Sequence, residues 1–124
     1  RRGTLEQAGE PTTRTASITV ENVRPAIADA LVVGQTERVN GEATAEILTK
    51  ESAPAEIVLE SEDGNIFLRE HPRNLDVDLE AELSVRELDD GSLRFRGDSL
   101  RTGDTITLEL GQVRVSGRVT AIGE

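Results

Sequence analysis

Residues 75–86 alternate without a break, Leu75, Val77, Leu79, Ala81, Leu83 and Val85 interleaving with Asp76, Asp78, Glu80, Glu82, Ser84 and Arg86. A helix would scatter these apolar side chains around its circumference, whereas a strand gathers them on one face and the charges on the other. A strand that long with one wet face must cover its dry face with further strands, so the chain is expected to be mainly β. Shorter alternation at Ile18 and Val20, and strands near residues 43–49, 56–61 and 66–70, extend the pattern. Between them Pro25, Ile27, Leu31 and Val32 fit one short helix that Gly34 stops. The expectation is a small β-barrel of eight or nine strands with one short helix.

Turn chemistry fixes the registers. With Asp89-Asp90-Gly91 as a three-residue loop and Gly91 left-handed, Val85 faces Phe95 and Leu83 faces Gly97, core against core. Leu110-Gly111-Gln112-Val113 fits a two-residue turn with Gly first, which sets Leu108 opposite Val115 and Ile106 opposite Gly117. Asn40-Gly41 and Asp63-Gly64 are further hairpin signals, and His71-Pro72 marks a corner where one strand ends. A repeated corner favours closure into a barrel of two pseudo-symmetric halves. Gly34-Gln35-Thr36 leads to Gly41-Glu42-Ala43-Thr44-Ala45, and Gly103-Asp104-Thr105 leads to Gly117-Arg118-Val119-Thr120-Ala121.

At 124 residues there is room for one domain. Residues 1–14 are polar and aperiodic and are expected to be a flexible linker after a removed N-terminal segment, with residues 15–124 expected as a single barrel-like domain. The start at Arg1-Arg2 and the lack of Met fit such processing. The net charge of −10 repels phosphate backbones and anionic headgroups, and with two Phe as the only aromatics there is little on which to stack a base. Nucleic acid is therefore excluded as a partner. Lys50 is the only lysine; the other cations are arginines set in an excess of carboxylates, a surface suited to high salt, where the Debye length shrinks to about 3 Å. Without Cys there is no disulfide, thiolate nucleophile or zinc–sulfur site.

Four blocks resemble those of an uncharacterised family of archaeal and bacterial membrane-anchored proteins. They are Val23-Arg24-Pro25-Ala26-Ile27-Ala28-Asp29-Ala30-Leu31-Val32-Val33-Gly34, His71-Pro72-Arg73-Asn74-Leu75-Asp76-Val77, Leu100-Arg101-Thr102-Gly103-Asp104-Thr105-Ile106-Thr107-Leu108, and Val113-Arg114-Val115-Ser116-Gly117-Arg118-Val119. The resemblance implies one N-terminal transmembrane helix, absent from this chain, and a β-rich domain outside the cytoplasm; a haloarchaeal type suits the acidity. It implies no activity and no functional residues.

Two constellations could carry chemistry. Asp76, Asp78, Glu80 and Glu82 line one strand face at a pitch of about 6.5–7 Å. That row is either a solvated acidic face or part of a site for Ca²⁺ or Mg²⁺, which take oxygen ligands, provided that loops converge on it. Arg94, Arg96 and Arg101 form a basic cluster that either contacts an acidic partner or pairs within the chain. His71 is the sole histidine, and no serine sits in a nucleophile motif, so no catalytic residue and no cofactor are assigned. The expected function is a non-enzymatic envelope domain working through protein contacts or self-assembly, the alternative being a cation-binding or small-ligand module on the acidic face.

Overall fold

The computed structural model describes residues 9–123. Its elements run β1 (Glu10–Val23), α1 (Pro25–Ala30), β2 (Thr36–Val39), β3 (Glu42–Glu60), β4 (Ile66–Glu87), β5 (Leu93–Phe95), β6 (Asp98–Leu100), β7 (Thr105–Glu109) and β8 (Arg114–Ile122). The eight strands form one antiparallel sheet, ordered β2-β3-β4-β1-β8-β7 with the β5–β6 hairpin attached to β4, that curls into a nearly closed barrel.

β4 is the backbone of this sheet because its alternating half is paired on both sides, with β3 through Ala45↔Leu83 and Ile47↔Ala81 and with β1 through Ala16↔Ala81 and Ile18↔Leu79. Val77, Leu79, Ala81, Leu83 and Val85 are all buried, and Asp78, Glu80, Glu82 and Ser84 are exposed. β1 begins at Glu10, so residues 10–14, expected as linker, are strand: Glu10 pairs with Glu87, and the Arg14 guanidinium meets the Glu87 carboxylate at 2.6 Å. Residues 1–8 of that expected linker lie outside the described residues. The helix ends earlier than Gly34, at Ala30, and Lys50 donates to the Ala28 carbonyl at its C-terminus, where a cation offsets the helix dipole.

Register shifts bend the sheet toward closure. They occur between Ser17 and Ile18 against β8, between Glu37 and Arg38 in β2, and between Ile47 and Thr49 in β3. At Gly117 the core leaves no room for a side chain, since a Cβ there would collide with Ile18 Cγ2 and lie 3.1 Å from Val20 Cγ2. The glycine lets β1 and β8 approach closely.

Most turn registers follow the sequence. Leu88 N–H bonds the Ser92 carbonyl around a loop whose Gly91 has φ 87°, and β7 pairs with β8 through Ile106↔Gly117 and Leu108↔Val115. Leu83 does not face Gly97, however, because Arg96 and Gly97, both at positive φ, turn the chain into β6. His71-Pro72 does not end a strand either. β4 continues through it as a wide bulge, Glu70 pairing with Glu56 and Leu75 with Pro54, so that residues 71–74 oppose Ala55 alone.

The repeated corner is real in its hydrogen bonds, though not in the strand alignment read from the sequence. Gly34 N–H donates to the Ile47 carbonyl and Ile47 N–H to that of Gln35; Gly103 N–H donates to Val119 and Val119 N–H to Asp104. The Gln35 and Asp104 side chains close the same turn, accepting from Val32 N–H at 2.8 Å and Arg101 N–H at 3.0 Å. Val119 thus corresponds to Ile47, not to Ala43.

Candidate functional site

The acidic row lies where the pattern put it, on the outer face of β4, but three of its carboxylates are hydrogen-bonded to neighbouring strands. Asp78 accepts from the Thr19 hydroxyl at 2.7 Å, Asp76 from Asn22 N–H at 2.8 Å, and Glu80 from the Thr49 hydroxyl at 3.2 Å. Asp78 and Glu80 border a shallow groove of about 460 Å³ with Ser17, Thr19, Thr49 and Glu51. Among the described residues no loop carboxylate converges on the row, and no three metal-binding side chains come together. Strand pitch is the reason: ligands on one straight strand diverge unless another element closes over them. Of the row expected as a cation site, Asp76, Asp78 and Glu80 accept hydrogen bonds from β1 and β3, and Glu82 is exposed on the same face.

The basic cluster divides. Arg94 and Arg96 line an open cleft of about 830 Å³ at one end of the barrel, with Thr13, Glu42, Thr44 and Arg86; Arg101 is outside it, in the loop after β6. Arg86 and Arg94 are register partners across β4 and β5. Arg96 is engaged within the chain, where its guanidinium stacks 4.5 Å from the Phe95 centroid and pairs with Glu37 at 2.9 Å.

Glu37 was not visible in the sequence. Its side chain is 2% exposed, the most deeply buried charge among the described residues. One carboxylate oxygen accepts from the Thr44 hydroxyl at 2.6 Å, the other from Arg96 and from Glu109 N–H at 2.9 Å. β2 and β7 are the two ends of the sheet path, so this side chain joins the barrel where backbone pairing does not. It completes closure and is fully used in doing so.

His71 sits in the β4 bulge, and its Nδ1 accepts from Arg73 N–H at 3.0 Å and Asn74 N–H at 2.8 Å. That nitrogen holds the bulge together. The carboxyls of Asp63 and Asp90 play the same part in two hairpin loops. The Ser61 hydroxyl, then the Asn65 backbone, hold Asp63 below the usual carboxylate range; the Ser92 hydroxyl and N–H do so for Asp90.

Beyond the bulge, β3 and β4 leave the barrel as a two-stranded arm closed by the Asp63-Gly64 turn, pairing Glu56↔Glu70, Ile57↔Arg69, Val58↔Leu68, Leu59↔Phe67 and Glu60↔Ile66. It carries Val58, Ile66, Phe67 and Leu68 at 66%, 68%, 48% and 62% exposure, the largest cluster of exposed apolar side chains among the described residues. The signal was present in the sequence: Ile57-Val58-Leu59 and Ile66-Phe67-Leu68 are continuous apolar runs on both sides of the turn, the pattern of a ribbon covered on both faces.

Comparisons with family models, with curated proteins and with solved structures found no match.

Proposed function

We propose that this protein is a non-enzymatic domain of the cell envelope that works by protein–protein contact or self-assembly, with the β3–β4 arm as its contact surface. The observation that carries this reading is the arm itself. A two-stranded ribbon is marginally stable alone in water, and four large apolar side chains on one ribbon are the mark of a surface made to be covered. His71, Asp90 and Glu37 are engaged in holding the bulge, a turn and the barrel seam.

The placement outside the cytoplasm at the membrane, in a high-salt setting, rests on the resemblance of the blocks around Pro25, Pro72, Gly103 and Gly117 and on the scarcity of lysine. Among the described residues no helix is long and apolar enough to cross a membrane, so the anchor in this proposal is a helix outside residues 9–123.

A photoreactive residue at position 68, compared with one at position 78 on the acidic face, tests the reading in the protein's own envelope. A protein adduct from position 68 and none from position 78 is the expected result. No adduct from the arm, or equal adducts from both positions, would contradict it.

A further inference from the structure

The arm has two outer edges. Those of residues 56–60 in β3 and 66–70 in β4 face no other strand among the described residues, because β1 follows β4 only as far as Val23↔Leu75. The two edges are not equivalent, and the difference identifies what covers them. We infer that the β4 edge of the arm is a self-association site, at which a second copy of this chain adds its own residues 66–70 antiparallel to the first.

The backbone is set for this. Ser61 N–H bonds the Asn65 carbonyl, so ladder alternation turns the N–H and C=O groups of Phe67 and Arg69 toward β3 and those of Ile66, Leu68 and Glu70 outward. Two such edges related by a two-fold axis complete each other's ladder. Side chains then select the edge. Centred on Leu68, the pairing sets Ile66 against the partner's Glu70 and Phe67 against the partner's Arg69, with no like charges opposed. Arg69 is the only cation in residues 56–70, and this register brings it beside an aromatic ring. The β3 edge centred on Val58 would instead set Glu56 against the partner's Glu60, twice in each dimer, which is repulsive. On the face shared by Phe67 and Arg69 the arm also presents Ile57 and Leu59, so pairing extends an apolar strip across the two-fold axis.

Charge gives the inference a second handle. Each chain carries a net charge of −10, so copies repel in dilute buffer and the repulsion is screened in molar salt. Self-association therefore strengthens with KCl. Docking onto a basic partner protein would weaken, since salt screens that attraction.

This inference rests on the contact-arm reading, and its test uses the purified protein alone. Light scattering at about 0.1 M and about 1 M KCl, where the Debye length falls from about 10 Å to about 3 Å, is expected to show growth from 13.4 kDa toward twice that mass as salt and protein concentration rise. Leu68→Arg, which opposes two guanidiniums at the two-fold axis, is expected to weaken association at least about tenfold. Val58→Arg, on the β3 edge, is expected to change it less than about threefold. Both sites are exposed, at 62% and 66%, so unchanged circular dichroism checks that the fold is retained. A 13.4 kDa monomer under all conditions, or equal losses from the two variants, overturns the inference. A monomer in solution together with a heterologous adduct from position 68 in the envelope overturns the second copy and leaves the contact arm standing.

Discussion

A carboxylate at 2% side-chain exposure is costly unless its oxygens are satisfied, and at Glu37 they are, by Thr44, Arg96 and Glu109 N–H. Replacing Glu37 by Ala strands a partly buried guanidinium and a backbone donor at once. The expected loss is about 3 kcal/mol in urea unfolding, with Glu37→Gln near half of that because an amide still accepts. A loss below about 0.5 kcal/mol for the Ala variant would show that the seam does not depend on this side chain. The turn carboxylates give a gentler test. Asp90 is held below its ordinary value of 3.8 chiefly by the Ser92 hydroxyl, then by the Ser92 N–H. Its contribution to the turn is therefore full above that pH and is lost as pH falls through the lowered value. Ser92→Ala should move the Asp90 midpoint, followed by NMR, back up toward 3.8. Neither residue's role was legible beforehand, except that Asp-Gly pairs announce turns; Glu37 reaches a donor 72 positions away, and no local pattern encodes that.

At the scale of elements, the bulge at residues 71–74 decides where barrel ends and arm begins. His71 Nδ1 gathers two backbone donors there, so His71→Ala should cost about 1 kcal/mol and speed amide exchange at Arg73 and Asn74 while β1–β4 pairing stays protected. Equal exchange in both proteins would remove His71 from this role. The alternating half of β4 was legible because it is paired on both sides and has one dry face. The other half was legible only as strand: Pro72 reads as a stop, yet a proline at a bulge opposes no ladder acceptor and the strand runs on. The same limit applies to the candidate sites. Alternation placed Asp76, Asp78, Glu80 and Glu82 on one face correctly, but whether they converge on a cation depends on distant loops, and among the described residues none arrives. The basic residues at 94, 96 and 101 are close in sequence, and the Arg96-Gly97 turn then separates their tasks.

At the scale of the molecule, the acidity and the arm bear on each other. With 24 acidic against 14 basic residues, the folded chain repels itself as well as its copies, so its thermal midpoint should rise by several degrees between about 0.1 M and 1 M KCl. A midpoint that falls over that range would argue against a surface adapted to salt. Barrel closure, which spares a sheet its exposed edges, was expected from the repeated corner, and the nearly closed sheet agrees, with the β2–β7 seam held by a side chain. The arm departs from that economy by projecting two strand edges and a cluster of apolar side chains into solvent. The most direct measurement is hydrogen exchange at single amides in molar KCl, compared between dilute and concentrated protein. Slower exchange at Ile66, Leu68 and Glu70 in the concentrated sample, with the β3 edge unchanged, is the expected result. Fast exchange at those three amides at every concentration would contradict the arm as the place where two copies meet.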